Sequence, residues 1–268
     1  LREFLWPLEP VRRALGKPLE IAQAARPKTV MLLPGFGAHP IRMRWMARKL
    51  EKAGHVTKKW GLGYNLGATE ARFRQVEERL VDLYRRTGEP IHLVGWSLGG
   101  VMARELAKKH ADKVAKVITM GSPFSYSPRA NNGWRAYQAI AGHRVDEPEI
   151  DTVLHEKPPV ETVAFWSPRD GVVHPRAACG RPDERDRAVP LRCSHMGFVL
   201  THEAVEAVLD ELERLAKWQG MSVIVLDARE AAVGFYRHNG YEAVGEGPVL
   251  FGEVRHSKMR KKFSVSMP

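Results

Sequence analysis

Cysteine is scarce in this chain: Cys179 and Cys193 are the only two among 268 residues. A disulfide-stapled scaffold is therefore excluded, and stability has to come from an apolar core. The two thiols bracket a short stretch. A bridge there would imply an oxidising compartment, and two separate thiols fit the sequence equally well. Long apolar runs are also missing, and none approaches the ~18–20 residues of a membrane-spanning helix. No His/Cys/Asp cluster has metal-ligand spacing, so neither a metal nor another cofactor is expected. Acidic residues are outnumbered, 31 against 42 lysines and arginines, for a net charge of +11. The excess is spread over nearly every helical segment, which reads as solvated faces; peripheral contact with an anionic lipid surface is the functional alternative. Basic residues are not interleaved with aromatics and no recognition motif occurs, so nucleic acid is not an expected partner. The chain starts at Leu1 without the charged, apolar and small-residue order of a secretory signal. Localisation is left open between cytoplasmic and exported.

What is present is enough for one substantial core, with 44% hydrophobic and 27% charged residues. A helix-like segment from Arg2 to Leu15 precedes a strand pattern at Thr29–Leu33. A helix over about Pro40–Ala53, a strand at Val56–Trp60 and the glycine-rich loop 61–67 come next. The following long helix, Thr69–Arg86, has apolar residues Phe73, Val76, Leu80, Leu83 and Tyr84 spaced three and four apart. Strand patterns recur at Ile91–Trp96, Val114–Met120, Val160–Trp166 and Ala188–Cys193. A closing helix spans Thr201–Trp218. Residues 124–159, with several prolines and aromatics, are too long for a plain connection and read as a lid. Strands alternating with helices predict a mostly parallel sheet covered on both faces, with the site beyond the carboxyl ends of its strands.

The segment Ile91-His92-Leu93-Val94-Gly95-Trp96-Ser97-Leu98-Gly99-Gly100 runs from a buried-strand pattern through Gly-x-Ser-x-Gly into helical spacing. That is the context a nucleophile elbow requires. Side chains at positions 95 and 99 would clash where strand and helix close around the serine. A serine hydroxyl needs a base, and the base needs an orienting group. Asp170 lies in the turn Ser167–Val173, after one strand, and His195 in the loop Arg192–Phe198, after the last. The order serine, acid, histidine is the one this architecture uses. His174, His202 and Asp151 are the fallback partners. Two backbone N–H groups should hold the oxyanion: that of Leu98, and that of Phe36 in Pro34-Gly35-Phe36-Gly37, with Gly37 the lesser choice. Trp96, Phe124, Tyr126 and Phe198 are candidate linings of an apolar acyl pocket.

The stretches LLPGFG, WGLGYNLG, LVGWSLGGVMAREL, VITMGSPF, SPRDGVV and SHMGF together make residues 29–218 resemble an α/β-hydrolase of the esterase/lipase type. The resemblance implies an α/β fold with a lid after the sixth strand. It also implies Ser97 as nucleophile, His195 as acid and base, Asp170 as orienter, and Phe36 and Leu98 as oxyanion donors. The expected substrate is a small-molecule or lipid ester, with acyl transfer or thioester cleavage as alternatives on the same residues. Pro34 departs from the family, many members of which have histidine before the glycine.

After Trp218 the pattern restarts. A strand is expected from Met221, a helix over Ala228–His238, a strand from Tyr241 to Val244, another at Val249–Val254, and then a basic end, Arg255–Lys262. The run LDAREAAVGFYRHNGYEAVGEGP…GEVRHSKMRKKF resembles the carboxyl-terminal half of a GNAT-type N-acetyltransferase. In that family the tyrosine matching Tyr236 protonates the departing thiolate. The Arg/Gln-x-x-Gly-x-Gly/Ala phosphate loop that should precede it is absent. The expected organisation is therefore a catalytic domain, 1–218, with a non-catalytic appendage, 219–268. Unpaired strand edges in that appendage favour a homodimer.

Overall fold

The computed structural model describes residues 19, 21–127, 130–132, 134–141, 153–218, 223–238, 240–249 and 255–262. The expected helix Arg2–Leu15, Asp151 and most of the expected strand Val249–Val254 lie outside them.

Strands β1 (Thr29–Leu33), β2 (Val56–Lys59), β3 (Ile91–Trp96), β4 (Val114–Met120), β5 (Glu161–Trp166) and β6 (Arg187–Pro190) form one sheet in the order β2-β1-β3-β4-β5-β6. Every pairing is parallel. β3 is buried along its whole length, which is why its sequence is a continuous apolar run. The register aligns Leu33 with Gly95, Trp96 with Met120 and Met120 with Phe165, so these strands end at one rim.

Alternation divides the strand side chains between two cores. Val30, Leu32, Val94, Trp96, Ile118, Met120 and Phe165 face one side. There they meet Met46 and Leu50 of α1 (Arg44–Lys52). Met31, Leu33, Ile91, Leu93 and Val117 face the other side, against α2 (Glu70–Thr87) and α3 (Leu98–Lys109). In α2 the buried positions are Phe73, Val76, Leu80 and Leu83, as the spacing predicts. Thr69 caps its start by accepting the Arg72 N–H, and Gly88 at φ 69° ends it. The first helical stretch differs from expectation in beginning as a 3₁₀ turn, Pro40–Met43.

Residues 124–159, expected as a lid after the sixth strand, instead follow the fourth, because β1, β2 and β3 are the strands that precede β4 among the described residues. Their described part includes Phe124–Ser127, α4 (Trp134–Ala141) and the return from Val153. Arg104 of α3 is wholly buried and anchors that return. It donates to the carbonyl oxygens of Glu156 (2.9 Å) and Glu184 (3.0 Å). Helices α5 (Pro175–Cys179) and α6 (Gly197–Leu200) are short, and α7 (His202–Trp218) lays Val205, Val208 and Leu212 on the first core. Lys116 of β4, fully buried, ties α7 to the sheet through Glu211 (3.4 Å) and Glu161 (3.0 Å). Arg187 also pairs with Glu211.

Beyond α7 lies a separate antiparallel sheet, order β7-β9-β8, made of β7 (Val223–Arg229), β8 (Glu242–Glu246) and β9 (His256–Lys262), with α8 (Val233–His238) between β7 and β8. The basic end is thus a strand. β9 pairs with β7 from Val223–Lys262 to Arg229–His256, and only Met259 supplies it with a fully buried apolar side chain. Four of its seven residues are Lys or Arg, which hides the apolar side of its alternation. The expected helix from Ala228 starts later, because β7 runs on to Arg229. Leu226, Ala228, Tyr236, Tyr241 and Met259 form the small core, with Ala22 packed on it. Gln23 N–H donates to Tyr236 Oη at 2.9 Å, fastening the sheet to the segment that leads into β1.

Two buried histidines sit at the amino ends of the strands. Burial, reinforced by Lys28, Lys116 and His55, pushes His92 down to about 3. His55 falls to about 4 by burial and the Lys28 charge. Both folded values lie below the unfolded ~6.5, so the unfolded chain binds more protons between these limits. Stability is complete above pH ~6.5 and declines as pH falls toward 4, by up to about 1.4 kcal/mol per pH unit for each histidine. The variant His92→Leu is expected to flatten the slope of urea-unfolding free energy against pH over that window. An unchanged slope contradicts the assignment.

Candidate active site

Ser97 sits between β3 and α3 at φ 54° and ψ −124°, a strained conformation for a residue with a side chain. The helix can begin so abruptly because of what the neighbouring glycines omit. A Cβ on Gly95 would lie 2.4 Å from Gly100 Cα, and one on Gly99 would lie 2.2 Å from the Leu33 oxygen. A Cβ on Gly100 would meet Ser122 Oγ at 2.0 Å, so the third glycine of the run matters as much as the two in the motif. Ser97 N–H donates to Met120 O at 2.8 Å, which locks the elbow to the end of β4.

Asp170 follows β5, and its side chain is completely shielded from solvent. One carboxylate oxygen accepts the N–H groups of Val172 (2.8 Å) and Val173 (2.9 Å). The other lies 2.8 Å from His195 Nδ1. Sequence reasoning put these two residues in separate loops, and the structure joins them. A carboxylate cannot donate, so Nδ1 is the donor of this bond. Gly121, at the end of β4, makes room for the pair: a Cβ there would lie 2.9 Å from Asp170 Oδ2.

His195 is held against the elbow from its own backbone. The Trp96 indole N–H donates to the His195 carbonyl oxygen at 3.1 Å, and the two rings are 5.5 Å apart. Phe198 meets the imidazole edge-on at 6.3 Å. Asp170 and His195 are therefore hydrogen-bonded to each other, and Trp96, the residue before Ser97, bonds the His195 backbone.

The loop after β1 passes directly over the serine. A Cβ on Gly35 would fall 3.1 Å from Ser97 Cβ and 3.1 Å from the Trp96 ring. Gly37 donates its N–H to Asn65 O at 2.7 Å, which commits that group elsewhere. The Phe36 ring lies 5.1 Å from that of Tyr137 of α4, tilted by 56°. Leu98 is the first residue of α3, where an N–H has no acceptor within the helix.

Two supporting residues escaped the sequence reading. Asn65, fully buried, donates through Nδ2 to Pro34 O at 2.8 Å and so fixes the loop bearing Phe36. Ser167, also fully buried, donates to Cys193 O at 2.6 Å and accepts the Arg169 N–H at 3.0 Å. It staples the loop carrying Asp170 to the loop carrying His195. The only advance signal was their place inside WGLGYNLG and SPRDGVV.

The remaining candidates are distributed as follows. Phe198 is buried beside His195. Phe124 is buried under the Arg104 guanidinium, 4.1 Å from its ring. Tyr126 is 52% exposed beneath Arg181. His174 caps α5 by accepting the Arg176 N–H, and His202 stacks on Trp45 at 5.5 Å. Cys179 and Cys193 are not bridged. Among the described residues no group of three or more His, Cys, Asp or Glu side chains could hold a metal ion, and no helix is long and apolar enough to cross a membrane.

A family model for the alpha/beta hydrolase fold matches residues 33–139. The pimeloyl-[acyl-carrier protein] methyl ester esterase of Vibrio vulnificus is 29% identical over 111 residues, 41% of this chain and 42% of that protein. Its Vibrio cholerae counterpart is 31% identical over 84 residues, 31% of each chain. The matches thus span less than half the length of these relatives. Among solved structures, the 2-hydroxy-6-oxo-6-phenylhexa-2,4-dienoate hydrolase of a Rhodococcus species aligns with a TM-score of 0.52 at 15% identity, covering 72% of this chain and 92% of the hydrolase. A structure from the metagenome-derived lipolytic enzymes LipS and LipT aligns with a TM-score of 0.53 at 16% identity, covering 75% and 97%. The six-stranded parallel sheet with its flanking helices has the α/β-hydrolase fold.

The carboxylate of Asp170 satisfies three donors in a dry site, so its removal is expected to cost about 2–4 kcal/mol in Asp170→Ala. Asp170→Asn keeps an oxygen for Val172 and Val173 and should lose less than about half of that. Urea unfolding midpoints at fixed m-value check the order. Equal losses would contradict these hydrogen-bond roles.

Proposed function

We propose that the chain is a serine hydrolase of carboxylic esters, with Ser97, His195 and Asp170 as its triad. The observation that carries the reading is the Asp170–His195 hydrogen bond, 2.8 Å long, placed against the residue next to a strained elbow serine. The Trp96 bond to the His195 carbonyl oxygen supports a rim shared with Ser97, and in this reading Nε2 is the base. In the proposed reaction Nε2 takes the Ser97 proton as Oγ attacks the acyl carbon, and Asp170 stabilises the imidazolium. The Leu98 and Phe36 N–H groups receive the developing oxyanion, since Gly37 is committed to Asn65. Collapse expels the alcohol with the imidazolium proton. Water, activated by the same nitrogen, then releases the acid and restores Ser97.

The esterase and lipolytic names of the similar proteins support an ester substrate. None of the similar proteins reported above is an acetyltransferase, and the small carboxyl-terminal sheet is proposed as support rather than catalysis. Tyr236, its candidate acid, is buried, and its hydroxyl is engaged by the Gln23 N–H. Burial holds that hydroxyl above the usual phenol range.

Ser97→Ala should fold normally and lower kcat for p-nitrophenyl butyrate by about 10⁴-fold or more, as loss of a triad nucleophile does elsewhere. Turnover within about tenfold of the parent would refute the assignment.

A further inference from the structure

The oxyanion hole of the proposed reaction needs two N–H groups aimed at one point, each about 2.7–3.1 Å from the developing charge. Its two donors stand on different elements. Phe36 belongs to the loop after β1, and Leu98 is the first residue of α3. Something must fix the distance between them, because a misplacement of about 1 Å costs a large part of catalysis.

Asn65, in the glycine-rich loop after β2, is fully buried and reaches both elements. Its side-chain amide has two N–H groups and one oxygen to satisfy. Nδ2 donates to Pro34 O at 2.8 Å and lies 3.9 Å from Met102 Sδ, within reach of a hydrogen bond to sulfur. Met102 is itself buried and stands one turn beyond Leu98 on α3. Oδ1 accepts the Gly67 N–H at 3.3 Å. The backbone of the same residue closes the far side of the loop. Asn65 O accepts the Gly37 N–H at 2.7 Å, and Asn65 N–H donates to Ala38 O at 3.0 Å. Phe36 is thus flanked on both sides by groups bonded to one residue. Loop and helix meet closely there, since a Cβ on Gly99 would lie 2.6 Å from the same Pro34 oxygen.

We propose that Asn65 is a positioning residue for the oxyanion hole, setting the spacing of the Phe36 and Leu98 N–H groups through Pro34 and Met102. The proposal rests on the ester-hydrolase reading, and Asn65 touches no reacting atom in it. Loss of the side chain should therefore weaken transition-state binding and leave ground-state binding alone.

Kinetics of Asn65→Asp and Asn65→Ala on p-nitrophenyl butyrate test it, with kcat expressed per serine titrated by a fluorophosphonate. Asn65→Asp keeps the size and the acceptor for Gly67 but lacks both donors. In each variant kcat should fall about 10–10²-fold at a KM within about threefold of the parent. The Ki of hexyl trifluoromethyl ketone, whose serine adduct places an oxyanion in the hole, should rise by the same factor as kcat falls. The Ki of octanol should stay where it is. A merely structural role lowers the number of titratable serines and spares the kinetics of those that remain. Met102→Leu conserves core volume and removes only the α3 end of the bridge. It should lower kcat and ketone affinity together by about threefold, and it decides the question where the Asn65 variants do not fold. Kinetics within about twofold of the parent in every folded variant, or a fall in kcat without a matching rise in the ketone Ki, overturns the proposal. A parent that neither turns over the ester nor binds the ketone retires the hydrolase reading and the proposal with it. A competent parent with indistinguishable variants retires the proposal alone.

Discussion

The site is arranged around the close approach of α3 to the ends of β3 and β1. With no side chain at Gly95, Gly99 or Gly100, helix backbone lies where Cβ atoms would be 2.0–2.4 Å from their neighbours. The chain then has to reverse over a single residue, and Ser97 takes the positive φ that this demands. Strain of this kind persists only when the surroundings over-determine it. Here a buried strand, a helix packed on Leu93 and Val117, and the Ser97-to-Met120 backbone bond do so. The elbow therefore belongs to the core as much as to the surface.

From that fixed point the other loops are placed by side chains that sequence order does not connect. Trp96 faces the core yet uses its indole N–H to hold the His195 backbone. Ser167 ties the acid loop to the histidine loop, and Asn65 ties the second strand's glycine-rich loop to Pro34. These bonds are buried, so each is worth more than a surface contact and each leaves an unsatisfied polar group if broken. Helix α4 rests on the same assembly through Tyr137 and Phe36. Arg104 holds the segment returning to β5 through the Glu156 carbonyl oxygen.

Much of this was legible beforehand because it has a period or a motif. The branched run of β3, the 3-and-4 spacing of α2 and the glycines around Ser97 each have one dominant physical cause. Asp170 and His195 could be named from their positions after strands, but not brought together, because a hydrogen bond across 25 residues leaves no periodic trace. Asn65 and Ser167 carry short polar side chains that are as common in exposed turns as in buried staples. The strand β9 was hidden for another reason. Lysine and arginine stems cover a sheet face without registering as apolar, and one Met259 is a thin signal against them.

The central claim is that the strained serine is the group activated by the Asp170–His195 pair. Intact-mass and peptide mapping after reaction with a fluorophosphonate probe test it most directly. The account predicts a single adduct located on Ser97, forming far more slowly in His195→Ala. An adduct on another residue, or none in protein that is folded, contradicts it.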